Sequence, residues 1–175
     1  MFNAIQKRGK LLAVVAGLAG ILAMTAMSSG AGARDGVAAL VTSKVAVASH
    51  DGQVLATITI DNHGERTVYV PRVFLQEGEP EGNLFEVRDS SNGDPLDYIG
   101  MMVKRPPPTK KDFVAVKPHS KVSNTLDISN SYRFVSGRHA YQISLNAGYL
   151  TDLNKLEQQN AIEPAAAVMF AHVGQ

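Results

Sequence analysis

Between Val54 and Ile60 the chain alternates, with Val54, Ala56, Ile58 and Ile60 on one face and Thr57, Thr59 and Asp61 on the other. Period two over this length predicts a half-buried strand. A second alternation turns Tyr141, Ile143, Leu145 and Ala147 inward and Gln142, Ser144 and Asn146 outward. Tyr141 heads that inward row, where its hydroxyl needs one local partner. Shorter strand signals cover residues 67–70 (ended by Pro71), 84–88, 96–103, 113–116 and 121–128. In the last of these Val122, Leu126 and Ile128 point one way, and Asn124 interrupts the row. A Val- and Ala-rich run over 36–49 precedes the series, and 165–173 closes it as a last strand.

Turn chemistry separates these segments: Ser49-His-Asp-Gly52, Asn62-His-Gly-Glu65, Ser90-Ser-Asn-Gly-Asp-Pro95 and Pro118-His-Ser120. Residues 75–83 are polar and broken by Gly and Pro, a connection between sheets; 129–136 has room for a helical turn. Leu150, Leu153 and Leu156 are spaced as on a short helix. Strands this short, with turns this frequent, predict an all-β fold: an antiparallel, immunoglobulin-like β-sandwich of about seven to nine strands. The chain has no cysteine and no tryptophan, so "immunoglobulin-like" refers to architecture alone.

The N-terminus changes the picture of where the protein works. Lys7, Arg8 and Lys10 precede an uncharged apolar run over 11–26, and a small-residue segment ends at Ala31-Gly-Ala33. That order is a secretory signal peptide over 1–33, cut after Ala33. The apolar run is shorter than the roughly 20 residues a membrane-spanning helix needs, so no membrane anchor is expected after cleavage. A periplasmic or secreted single domain over 34–175 follows. Without cysteine, it cannot be a lipoprotein and has no disulfide framework. Loss of the three signal-peptide cations moves the formal charge from +1 to −2, and nothing in that balance favours nucleic acid.

Signatures of catalysis are missing from the sequence. The five histidines, His50, His63, His119, His139 and His172, are never four residues apart, and none is followed by Glu. The His-Glu-x-x-His zinc face is therefore absent. No Gly-x-Ser-x-Gly elbow, Walker glycines or dinucleotide glycines occur, and no cofactor is implied. His63 and Glu65 share a turn, and Asp89, Asp94 and Asp97 cluster as a conceivable calcium site; solvated turns are the plainer reading of both. Phe113, Tyr132 and Tyr141 read as core and corner residues.

One loop stands out: Lys104, Arg105, Pro106, Pro107, Pro108, Thr109, Lys110 and Lys111. Three prolines hold its backbone extended while four cations are displayed around them. Its plain reading is a solvated connection with prolines blocking edge pairing. Its sharper reading is a peptide-like segment that offers Lys104, Lys110 or Lys111 to an acidic specificity pocket.

Asn83-Leu-Phe-Glu-Val87, Tyr98-Ile-Gly100, Val103-Lys-Arg105, Pro108-Thr109, Asp112-Phe113, Val116-Lys-Pro118, Leu126-Asp-Ile-Ser129, Tyr132, Ser136-Gly137 and Tyr141 carry a resemblance. Together they resemble the N-terminal β-sandwich region of bacterial zinc peptidases of the deuterolysin and peptidyl-Lys metalloendopeptidase group. In that group the sandwich precedes a catalytic domain with a His-Glu-x-x-His helix and an aspartate as third ligand. The resemblance thus implies the accessory part of a peptidase without its catalytic part. The expectation is a non-catalytic, exported protein-binding β-sandwich, an inhibitor or folding helper of a co-exported zinc peptidase. The alternatives are an envelope adaptor unrelated to proteolysis and an orphaned part of a metalloendopeptidase.

Overall fold

A computed structural model describes residues 40–145, 147–162 and 166–175; the expected signal peptide, the outward direction expected for Asn146 and the expected start of the last strand at Ala165 lie outside them. The described residues form strands β1 (Val41–His50), β2 (Gln53–Asn62), β3 (Val68–Pro71), β4 (Phe85–Asp89), β5 (Phe113–Val116), β6 (Ser120–Asp127), β7 (Gly137–Leu145), β8 (Gly148–Tyr149), β9 (Asn160–Ala161) and β10 (Val168–Gly174). The fold is all-β, and every ladder is antiparallel. One sheet has the order β1-β2-β6 and another β10-β7-β4; β3 pairs with β5 and β8 with β9. The first two orders correspond to the A-B-E and C-F-G strands of the constant-type immunoglobulin layout. The difference is β5, which pairs with β3 where that layout would set it beside β6.

Each hairpin follows from its residues. Asp51 and Gly52 both have positive φ, 49° and 80°, as a two-residue type I′ turn requires between right-twisted strands. Along β2 the apolar row is fully buried, while the opposite face builds a hydroxyl ladder. Thr57 meets Thr125 at 2.8 Å and Thr59 meets Ser123 at 3.0 Å, each pair directly opposite in the register. Such cross-strand pairs pin the register of β2 against β6. Val41, Val45, the β2 row, Val87, Leu126, Tyr141, Ile143 and Leu145 then share one core, so the inner faces of both three-stranded sheets are buried together.

Most polar groups in this core are paired, Gln76 Oε1 and Ser131 Oγ being buried without a partner among the described residues. The Tyr141 hydroxyl accepts from the Val135 N–H at 3.0 Å, a bond back to nearby backbone like the tyrosine corner of immunoglobulin sandwiches. Burial of the ring pushes its phenol above its ordinary value. Asn124, which interrupts the inward row of β6, spends its amide on the carbonyls of Phe74 at 3.2 Å and Gln76 at 2.5 Å. It stitches the sheet to the short 3₁₀ turn Arg72–Leu75.

Three sequence expectations need correction. Residues 96–103 do not form a strand. Leu96, Tyr98 and Gly100 are half-buried in alternation, but the stretch is joined to its neighbours by a single bridge, Tyr98 to Tyr132, and by the Leu96 N–H donating to the Val87 carbonyl of β4 at 2.8 Å. The apolar side chains between and beyond them point to solvent, so no ladder has a face to bury. Residues 150–159 form turns and no helix. Leu150 is fixed by a two-way backbone bridge to Tyr69, with both N···O distances 2.8 Å. Asp152 then accepts from the Asn154 N–H at 2.8 Å, an Asx turn that competes with helix. Finally, 129–136 holds no helix but a single turn, closed by the Ser131 N–H donating to the Ile128 carbonyl at 3.0 Å, with Asp127 capping the Ser129 N–H at 2.9 Å.

Candidate functional site

The loop from Gly100 to Asp112 is held at its entry, its middle and its exit. At the entry, the N–H groups of Ile99 and Gly100 both donate to the Ser131 carbonyl, at 2.9 and 3.2 Å. A Cβ at Gly100 would lie 2.8 Å from the Tyr98 hydroxyl and 3.1 Å from the Ser131 Cα, so only glycine fits this close approach. Tyr98 is the hub. Its hydroxyl accepts from the Gly82 N–H at 3.1 Å and lies 2.9 Å from the carbonyls of both Pro80 and Met101, able to donate to one at a time. Burial raises the Tyr98 phenol above its ordinary value, which keeps that donor protonated.

In the middle, the Arg105 guanidinium pairs with the Glu81 carboxylate at 2.6 Å. At the exit, the Asp112 carboxylate accepts from the Thr109 N–H at 2.7 Å and from its hydroxyl at 2.8 Å. These Thr109 bonds hold the Asp112 carboxyl below its ordinary value. The Lys110 ammonium donates to Asn154 Oδ1 at 2.6 Å, and Arg72 Nε donates to the Lys111 carbonyl at 3.0 Å. Residues 104–111 are all exposed. Among the described residues, the ammonium groups of Lys104 and Lys111 have no hydrogen-bond or ion-pair partner. Under the prolines runs a cleft of about 280 Å³ lined by Pro71, Val73, Pro106, Pro108, Phe113 and Gln159, among others.

The other sequence candidates are not brought together. His63 hydrogen-bonds Thr42 at 3.2 Å, whereas Glu65 faces His119 at 3.1 Å. Asp89 accepts from the Ser91 hydroxyl and N–H, bonds that hold its carboxyl below the ordinary value. Asp94 takes the Asn92 amide, and Asp97 faces Arg133 at 3.5 Å. Among the described residues no group of three His, Asp or Glu side chains is placed to hold a metal ion, and no helix is long and apolar enough to cross a membrane.

Sequence reasoning missed one pair. Ser49 Oγ lies 3.0 Å from His172 Nδ1, with the Phe134 ring 4.8 Å from the imidazole. Among the described residues no carboxylate is bonded to the other ring nitrogen, so the orienting member of a triad is missing. Burial holds His172 below its ordinary value of 6.5. The unfolded chain therefore binds this proton more readily, and stability is full above pH 6.5 and falls as pH drops from there toward the folded value. His172→Gln, which keeps a polar partner for Ser49, should flatten that part of a stability–pH curve measured by urea unfolding; an unchanged slope would refute the assignment.

No family profile matches the chain. A solved structure, Northeast Structural Genomics Consortium target SoR45, matches at 15% identity over 77% of this chain and 87% of that structure's chain, with a TM-score of 0.39. The chain is 30% identical over 115 residues to a protein described as an extracellular protease from Aeromonas hydrophila. That match takes in 66% of this chain and 30% of the protease, so the similarity to a protease spans less than a third of that protein's length.

Proposed function

We propose that the chain is an exported, non-catalytic β-sandwich that binds a deuterolysin-like zinc peptidase, as its inhibitor or folding helper, through residues 104–111. The similarity to the Aeromonas extracellular protease supplies the proteolytic context. One observation carries the binding mode: Arg105 and Lys110 are tied to Glu81 and Asn154, while Lys104 and Lys111 stand out from a backbone stiffened by three prolines. Lys111 stands on the short 3₁₀ turn Lys110–Asp112 that ends the proline segment, not on extended chain; a rigid segment loses little entropy on entering a cleft, and a displayed ammonium suits a pocket lined by carboxylates. The proline neighbours oppose the backbone movement that cleavage would need.

That the match covers only part of the protease favours a second reading, in which the sandwich is the accessory part of a larger peptidase and the same loop faces the catalytic domain. In either reading the contact surface is the same.

The test is inhibition of a lysine-directed zinc peptidase by the purified protein and its variants. Lys104→Ala combined with Lys111→Ala should raise the inhibition constant about tenfold or more, as loss of a desolvated charged contact does, and Lys110→Ala should change it far less. Equal inhibition by all variants would remove the lysine-in-pocket mechanism.

A further inference from the structure

The loop displays more than cations. Ile99, Met101, Met102 and Val103 are 50%, 61%, 75% and 42% exposed, four large apolar side chains within five positions. The other exposed large apolar residues, such as Leu40, Val135 and Met169, belong to separate segments. Concentrated apolar surface of this kind marks an interaction site, unlike single exposed residues.

This tip is built to stay in one conformation. The Tyr98 hydroxyl reaches the Met101 carbonyl from within, Ser131 holds the two preceding N–H groups, and Arg105 is paired to Glu81 immediately after it. Little ordering entropy remains to be lost on binding. Its surroundings are not cationic. Glu79 lies close enough to raise the Tyr98 phenol and Glu81 neutralises Arg105, while Asp97 offsets Arg133. An anionic bilayer attracts clustered uncompensated Lys and Arg, and among the described residues Lys104 is the one such cation adjoining this tip in sequence, Lys110 and Lys111 following the prolines. An apolar centre with a rim of both charge signs is instead the make-up of a protein interface.

We propose that Ile99, Met101, Met102 and Val103 are the apolar anchor of the complex, seated in an apolar recess of the peptidase beside the acidic pocket that takes Lys104. This rests on the peptidase-binding reading and adds what the partner must look like. Met102 and Lys104 are two residues apart, so even at full extension recess and acidic pocket lie within about 7 Å at the backbone. The lysine then selects the partner and sets the encounter rate, while the methionines supply most of the affinity.

The experiment is a binding titration of the purified protein and its Met101→Ser/Met102→Ser variant against a deuterolysin-type zinc peptidase, at low and high salt. Both residues are exposed, so an unchanged thermal melt serves as the folding control. The expected result is a loss of affinity of about tenfold or more, equal at both salt concentrations, whereas the loss for Lys104→Ala shrinks as salt screens the charge. If the parent protein binds and the double variant binds equally well, the anchor is overturned while the peptidase reading stands. If the parent does not bind the peptidase, both fall. Flotation of the parent, but not of the variant, with phosphatidylglycerol-containing phosphatidylcholine vesicles would assign the tip to a lipid surface and overturn the proposal.

Discussion

Tyr132→Ala should lower the unfolding free energy by about 3–5 kcal/mol, the cost of cutting a packed core aromatic back to a methyl group. The ring is buried at the meeting of several segments. It stands edge-on to Tyr98 with centroids 5.4 Å apart and lies 6.4 Å from Phe134. Its hydroxyl accepts from the Phe85 N–H at 3.2 Å and lies 2.9 Å from the Phe85 carbonyl and from Asn83 Oδ1, free to donate to either. Burial pushes this phenol well above its ordinary value, so the hydroxyl keeps its proton at neutral pH. Tyr132→Phe keeps the ring and strands the Phe85 N–H, for a cost of about 1–3 kcal/mol. The order parent, Phe, Ala in urea midpoint checks the assignment, and an Ala variant within experimental error of the parent would contradict it. Tyr98 loses its aromatic support in the Ala variant, so hydrogen exchange at the Gly82 N–H, which donates to the Tyr98 hydroxyl, should also quicken.

The second large effect belongs to Asn62, at the end of β2. Its Oδ1 accepts from the Gly64 N–H at 3.0 Å, and its Nδ2 faces the carbonyls of Arg66 at 2.8 Å, Val116 at 3.0 Å and Lys117 at 3.1 Å. A single buried amide thus joins the β2–β3 turn to the end of β5. Asn62→Leu keeps the branched outline but is larger and makes none of these bonds, and should cost about 3 kcal/mol or more, from one to two unsatisfied buried groups and from overpacking at a fully buried site. Asn62→Asp should be worse at neutral pH because a carboxylate would face carbonyl oxygens. These raise its folded pKa above the unfolded value of about 3.9. The folded state then holds the proton more tightly, so the Asp variant should lose stability as pH rises through that value and regain it on acidification. Urea unfolding of the three proteins at pH 4 and pH 7 measures both the loss and its sign.

Elements with a one-sided local pattern were legible in the sequence. The β2 and β7 alternations, the Asp51-Gly52 turn and the short pair β3 and β5 occupy the expected positions because burial of alternate residues is itself the signal. Asn124 looked like a defect in β6 and is a bridge to a turn 50 residues away in sequence. The stretch 96–103 has strand-like composition, but its apolar residues are split between core and solvent, and composition does not record that division. Leu150, Leu153 and Leu156 have helical spacing, yet Tyr69 claims the Leu150 backbone and Asp152 claims the next turn. At the candidate site the displayed cations could be read directly. Which of them are free could not, because Lys110 finds Asn154 across 44 positions and Tyr98 joins residues 80–82 to Met101. Such pairings arise only when the chain is folded.

Calorimetric titration of the purified protein into a deuterolysin-type zinc peptidase, with an unrelated zinc peptidase as control, tests the functional reading most directly. Saturable one-to-one binding to the first and none to the second is the predicted result. No heat with either enzyme at high micromolar concentration, from protein that still melts cooperatively, would contradict it.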